Sequence, residues 1–231
     1  MTGPSNDRLP RRVPVILVRH GLTEWNDLGL IQGWTDIPLS PLGRRQAEAT
    51  ARALAGRPIS AVASSDLVRA RETAEAIARA HGLTPTLHAD LREYHCGEWE
   101  GRPFLEVRRD HPDAFRAWFN DAEAPIPGGE SMGAALRRAG PAVDALLASL
   151  AGEGALVLVG HGGINRVLAA HFLAMPLAHA RRFMLDNASI SIFEPHHSGW
   201  ALRSWNHTGH LDALADETGG DARRTDAPRT N

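Results

Sequence analysis

The stretch Val13-Pro14-Val15-Ile16-Leu17-Val18-Arg19-His20-Gly21 decides how this chain folds. Its apolar, largely β-branched run shows no polar alternation, which is the pattern of a strand covered on both faces, as in a parallel α/β sheet. A second run, Leu156-Val157-Leu158-Val159-Gly160-His161-Gly162, ends in the same way. Each places a histidine just past a buried strand, and in open α/β sheets ligands bind beyond the carboxyl ends of the strands. If the two strands are neighbours, both imidazoles face one site. The glycine after each histidine suits a sharp turn and leaves backbone N–H groups open to a bound anion. A lone strand-end histidine most often only caps its strand. Two in matched positions, the first preceded by an arginine, argue for chemistry.

Outward from these runs the chain alternates helix and strand. Ser40-Pro41 supplies an N-cap and a proline at the first helical position, and Ala47, Ala51 and Leu54 carry a helix to Gly56. Ile59 to Ser64 reads as a strand. Asp66 to His81 reads as a helix with Leu67, Ala70, Ala74, Ile77 and Ala78 on one stripe and Gly82 as its stop. Residues 91–130 are irregular, with a helical piece at Pro112 to Phe119, and are expected as an insertion over the sheet edge. Ser131 to Leu150 returns to helical spacing, with Gly140-Pro141 expected to kink or divide it. Ala155 to Val159 is a buried strand, Ile164 to Leu173 a helix, and Ile190 to Phe193 and Trp200 to Trp205 two late strands. The order predicts an α/β fold, a three-layer αβα sandwich with a mostly parallel central sheet. Residues 1–12 and 212–231, polar and poor in apolar positions, read as flexible tails on a single domain spanning 13–211.

Composition narrows the function classes. The chain has 231 residues, 43% apolar and 23% charged, enough to bury a real core, and a formal charge of -2. No block of like charge points to nucleic acid or to an anionic membrane, so an anion must be gripped locally. Apolar runs are broken before membrane-spanning length, and the one cysteine, Cys96, cannot form an internal disulfide, so a cytoplasmic location is the expectation. The twelve histidines include no HExxH or zinc-finger spacing, so no metal is expected.

Leu17-Val18-Arg19-His20-Gly21-Leu22-Thr23-Glu24-Trp25-Asn26 resembles the signature of the histidine phosphatase superfamily, the phosphoglycerate-mutase-like proteins of branch 1. Five further segments follow in the family's order: Gly33-Trp34-Thr35-Asp36 with Leu39 to Gly43, Ser64 to Ala70, Leu91-Arg92-Glu93 running into Gly97 to Gly101, Pro127 to Ser131, and Gly160 to Gly163. The resemblance covers about residues 15 to 211.

The resemblance implies a role for each matching position. His20 would be the nucleophile, since a neutral imidazole nitrogen attacks phosphorus and splits one hard displacement into two easier ones. Arg19 and Arg69 would clamp phosphoryl oxygens with planar, permanently charged donors, and their charge would help keep His20 unprotonated. The other reading of Arg69 is a surface pair with Glu72 or Asp66. His161 would donate to the transferring phosphoryl group. Glu93 would be the general acid and then the base that activates water, with Glu98 and Glu100 as rivals in the same loop. Thr23, Asn26 and Gly162 would bind substrate. His207 and His210 are taken as structural, and Trp25, Trp34, Trp99 and Trp118 as either mouth or core.

No cofactor is implied, and a homodimer is left open. The implied activity is hydrolysis of a small phosphomonoester such as a sugar phosphate or a phosphoglycerate derivative. The alternative is a 2,3-bisphosphoglycerate-dependent phosphoglycerate mutase. Gly33-Trp34-Thr35-Asp36 is mutase-like, whereas the short stretch from Glu93 to Glu130 and the Glu98-Trp99-Glu100-Gly101 segment follow the phosphatase style. A remoter alternative is a non-catalytic scaffold that binds phosphate or a partner.

Overall fold

The two histidine-bearing runs form β1 (Val15–Arg19) and β4 (Ala155–Gly160), and they are neighbours. They pair in parallel with Arg19 opposite Gly160, and the His20 N–H donates to the Gly160 carbonyl at 3.0 Å. Both histidines therefore leave the sheet side by side. The computed structural model describes residues 13–150 and 153–214.

The remaining strands are β2 (Ile59–Ser65), β3 (Thr86–His88), β5 (Ile190–His196) and β6 (Gly199–His207), in the sheet order β3-β2-β4-β1-β5-β6. The first four strands of that order run parallel, and β5 and β6 form an antiparallel hairpin on the β1 side. Unbroken apolar runs are needed because the sheet is covered twice. Ile16, Val18, Val157 and Val159 pack with Ala47, Ala51, Leu54, Ala70, Ala74 and Ile77 of α2 (Pro41–Leu54) and α3 (Val68–Ala80). On the other face Val15, Leu17, Leu156 and Leu158 pack with residues of α6 (Met132–Ser149) and α7 (Gly162–Phe172), including Ala139, Val143, Val167 and Leu168. The fold is the expected three-layer α/β sandwich, with the antiparallel hairpin making the sheet mixed.

Local signals explain most of the boundaries. Ser40 caps α2, its Oγ accepting from the Gly43 N–H at 3.0 Å, with Pro41 at the first helical position. Helix α3 starts two residues later than the sequence suggests. Asp66 is held instead in a two-bond pair with Arg92 (2.5 and 2.7 Å), and Asp36 from another loop accepts the first helical N–H, that of Val68, at 2.7 Å. Two elements come without a sequence signal, β3 and the single turn α1 (Glu24–Asp27), which Thr23 caps.

Three expectations need correction. Of the kink or division expected at Gly140-Pro141, the division does not occur, and α6 runs through the pair as one helix. The residue before the proline has no Cβ to clash with the ring, and both halves bury small residues, Ala135, Ala139 and Val143, in one core. The segment 91–130, with α4 (Phe104–Asp110) and α5 (Pro112–Asn120), does not lie over the sheet edge. Leu91, Tyr94, Trp99 and Val107 belong to the core beneath α6 and α7, and Glu93 and Tyr94 reach the start of α7 beyond the carboxyl end of β4. The body also continues past 211, since Leu211 and Leu214 are buried against Ala49 and Ala188. The tails expected over 1–12 and from 215 onward lie outside the described residues.

One close crossing sets the geometry after β1. A Cβ on Gly43 would stand 2.0 Å from the Leu22 carbonyl oxygen, and one on Gly21 would stand 2.4 Å from the Gly43 oxygen. Gly21 has no left-handed φ, so close approach rather than a special turn requires glycine there. Gly43→Ala gains up to about 1 kcal/mol of helix propensity but forces a backbone apart, so overpacking wins. We expect a net loss of about 1–3 kcal/mol, read as a melting temperature lower by about 2–4 °C per kcal/mol. An unchanged melting temperature would contradict this crossing.

Candidate active site

His20 and His161 follow adjacent strands, and their ring centroids lie 5.2 Å apart. His20 Nδ1 lies 2.7 Å from the Gly21 carbonyl oxygen, an acceptor only, so Nδ1 carries the proton and Nε2 carries the lone pair. The loop that fixes this ring is itself held: the Gly21 N–H donates to Thr73 Oγ1 at 3.1 Å, and the His20 carbonyl accepts from the Ala188 N–H and from Asn187 Nδ2. His161 has the opposite tautomer. Arg69 Nε, a donor only, lies 3.2 Å from His161 Nδ1, which must accept, leaving the proton on Nε2. That buried Nε2–H has no hydrogen-bond partner among the described residues.

Both imidazoles are held neutral. Burial lowers the His20 pKa well below 6.5, and the charges of Arg69 and Arg19 lower it further. Burial lowers His161 in the same direction, followed by Arg69, His20 and Arg19.

The two arginines are buried to within 1% of their surface. Arg69, in the first turn of α3, donates to the Gly33 carbonyl at 2.7 Å, the Thr35 carbonyl at 2.9 Å and His161. Arg19 Nη1 donates to the Leu185 carbonyl at 2.7 Å. Carbonyl dipoles solvate a guanidinium without cancelling its charge, so its pull on an anion persists. Arg69 is buried rather than on a solvated face, and the two carboxylates weighed as its partners pair with other arginines, Asp66 with Arg92 and Glu72 with Arg44.

Glu93 stands at the start of α7. Its carboxylate accepts from the N–H groups of Gly163 (2.8 Å), Ile164 (2.9 Å) and Tyr94 (2.9 Å). Of the N–H groups expected to be open to an anion, that of Gly21 is given to Thr73, and past Gly162 the next two, those of Gly163 and Ile164, are given to Glu93. The first N–H groups of a helix have no partner within it, and here side-chain oxygens provide the acceptors. A Cβ on Gly163 would come within 2.5 Å of Glu93 Oε1 and 2.6 Å of the Tyr94 ring, so that glycine makes room for the acid loop. From behind, the Glu93 carbonyl accepts from Trp34 Nε1 at 2.7 Å and Arg138 Nη2 at 3.2 Å.

The rivals separate cleanly. Glu100 accepts from the N–H groups of Trp34, Thr35 and Cys96 and from the Thr35 hydroxyl, fastening the loop that holds Arg69. Glu98 is not among the residues of the cleft wall, whereas Glu93 is. That cleft, about 1000 Å³, brings Arg19, His20, Arg69, Glu93 and Asn26 together.

Two expected substrate contacts are not placed there. Thr23 is fully buried, and its hydroxyl is occupied by the Asn26 N–H and the Asn26 carboxamide oxygen, so it positions Asn26. Gly163 rather than Gly162 reaches the cleft wall. Its oxygen also accepts from Asn187 Nδ2, so the Asn26 carboxamide oxygen is fully engaged within the protein.

Other residues sort by contact. His210 Nε2 lies 3.2 Å from Thr50 Oγ1 and 3.1 Å from the Ala188 carbonyl oxygen, and burial pulls its pKa down to about 4, a tie between α2 and the loop behind His20. Cys96 is buried, and burial pushes its thiol pKa up, which makes it unreactive. Trp99 and Trp118 line the cleft, while Trp34 lies behind Glu93 under Arg92. Sequence reasoning missed Gln32, Tyr94, Arg166 and Arg181, all in the cleft wall. Gln32, Tyr94 and Arg166 sit beside or within three residues of a quoted motif, Arg181 far from any, and none carries a spacing of its own. No helix among the described residues is long and apolar enough to cross a membrane, and among them no group of three or more His, Cys, Asp or Glu could hold a metal.

A lone-pair nitrogen, two guanidinium groups and a carboxyl group around one cleft, with the buried N–H of His161 beside His20, are groups able to hold a phosphoryl group and attack its phosphorus. The model of the histidine phosphatase superfamily (branch 1) matches residues 15–208. A probable phosphoglycerate mutase of Yersinia pestis is 39% identical over 207 residues, 87% of this chain and 96% of the relative. Among solved structures, a mycobacterial glucosyl-3-phosphoglycerate phosphatase in complex with VO3 superposes with a TM-score of 0.80 at 36% identity, covering 86% of this chain and 100% of that one. A phosphoserine phosphatase of Entamoeba histolytica in complex with phosphoserine gives 0.76 at 32% identity, covering 86% and 99%. The chain belongs to branch 1 of the histidine phosphatase superfamily.

Proposed function

We propose that this protein hydrolyses small phosphomonoesters by way of a phosphohistidine on His20. The observation that carries the reading is the tautomer lock: the bond to the Gly21 carbonyl leaves Nε2 of a neutral, buried imidazole as the nucleophilic atom. Nε2 attacks phosphorus, and the P–O bond to the alcohol breaks. Arg19, Arg69 and the Nε2–H of His161 hold the equatorial oxygens, where charge concentrates in the transition state. Glu93 gives a proton to the departing alkoxide. It then takes one from water, whose oxygen attacks phosphorus and breaks the P–N bond. Inorganic phosphate and neutral His20 result.

The names of two structural neighbours, glucosyl-3-phosphoglycerate phosphatase and phosphoserine phosphatase, support hydrolysis. A second reading has support from the relative named as a probable phosphoglycerate mutase. The two reactions share the phosphohistidine and differ in the acceptor, water or a second hydroxyl. A wide cleft favours water, because a mutase must keep water from the intermediate.

Two experiments test this. Rapid-quench mass spectrometry with p-nitrophenyl phosphate should find the phosphoryl group on His20, and His20→Ala should lower kcat by more than about a thousandfold. Undiminished turnover in that variant would remove His20 from the reaction. For the acceptor, phosphorus NMR of 3-phosphoglycerate should show free phosphate appearing ahead of any 2-phosphoglycerate, and the reverse order would establish the mutase.

A further inference from the structure

Arg166 and Arg181 line the same cleft, and no step proposed above uses them. Arg166 stands on α7, five residues beyond His161, and its Nε donates to the Phe183 carbonyl at 2.8 Å. Arg181 comes from the short helical turn Leu177–Arg182. Its guanidinium lies 4.2 Å from the centroid of the Trp118 ring and 5.6 Å from that of Phe119, and it donates to the Trp118 carbonyl. Among the described residues neither arginine has a carboxylate partner. Asp186 shares the cleft wall, but its carboxylate accepts from Asn206 Nδ2 at 2.9 Å. Two half-buried guanidinium groups so placed repel one another, and an anion between them relieves both.

Their distance from the phosphoryl grip is bounded by the chain. Arg166 and Arg19 donate to the carbonyls of Phe183 and Leu185, two residues apart. Two residues span at most about 7 Å, so both arginines fasten to one short segment within reach of a single small molecule. Leu105, Phe119 and Met184, exposed and apolar, line the same cleft and suit a carbon skeleton between two charged ends.

We infer that Arg166 and Arg181 form a second anion subsite, which selects phosphomonoesters carrying a carboxylate or a second phosphate a few bonds from the reacting one. The inference rests on the phosphatase reading for the position of the first phosphate. Arg181, stacked on the α5 aromatics, supplies a fixed planar donor fork, and Arg166 supplies the terminal nitrogens that Phe183 leaves over.

Phosphonates test the subsite apart from turnover, because their C–P bond is not an ester. Calorimetric titration of the full chain should show 3-phosphonopropionate or propane-1,3-bisphosphonate binding at least about tenfold tighter than propylphosphonate, and the tighter of the two names the second anion. Arg181→Gln should remove most of that preference while propylphosphonate affinity holds, which also reports an intact site; Arg166→Gln should remove the preference too, with a smaller loss for all three ligands because the segment that holds Arg19 loses its tie at Phe183. Arg181→Gln leaves Phe183 anchored by Arg166, so it decides the matter if the other variant fails to fold. Equal affinity of the wild type for all three ligands, or an equal loss for all three in Arg181→Gln, would overturn the subsite. Preference for the dianions in a protein that does not hydrolyse p-nitrophenyl phosphate would leave the subsite standing and remove the phosphatase reading instead.

Discussion

Burying two guanidinium groups beside two imidazoles is the constraint on which the rest of this molecule depends. A charge taken out of water must be solvated by something else. Here the carbonyls of Gly33, Thr35 and Leu185 take that role, so Arg19 and Arg69 stay inside with their charge undiminished. Each carbonyl belongs to a loop, and each loop must then be fixed. Glu100 binds the one that carries Gly33 and Thr35, and Arg166 binds the one that carries Leu185. Burial and the same charges lower the pKa of both histidines, and one of the arginines dictates which nitrogen of His161 carries hydrogen.

The sheet makes this arrangement possible. Parallel pairing of β1 with β4 sets His20 and His161 side by side, and the next strand, β2, leads into the helix that carries Arg69. The glycines at 21, 43 and 163 mark places where backbone or acid loop comes too close for a Cβ. Glu93 completes the site from a segment with little regular structure, and it is positioned by contacts rather than by a helix or strand of its own. Its carboxylate rests on the start of α7, and its carbonyl is held by Trp34 and Arg138.

Much of this was legible in the sequence because the relevant signals were local. The runs ending in His20 and His161 announced two buried strands, and Ser40-Pro41 announced the start of α2. The resemblance carried Arg69 and Glu93, which no spacing within the chain connects to the histidines. What stayed hidden depends on distant partners. Nothing near Thr23 says that its hydroxyl is spent on Asn26, and nothing near Gly163 says that a carboxylate seventy positions earlier takes its N–H. Gly140-Pro141 misled for the same reason, since local chemistry argued for a break and burial on both sides of the pair held one helix. Arg166 and Arg181 were invisible because isolated arginines are ordinary until a cleft brings them together.

The central claim is that His20 is a neutral imidazole with its proton on Nδ1 and its lone pair on Nε2. Nitrogen-15 NMR of labelled protein, titrated from pH 8 to pH 5, tests this most directly. Because burial and two arginine charges lower its pKa, His20 should remain uncharged at pH 6.5, where a free imidazole is half protonated, with a pyrrole-type Nδ1 and a pyridine-type Nε2. An imidazolium at that pH, or the proton on Nε2, would contradict the account.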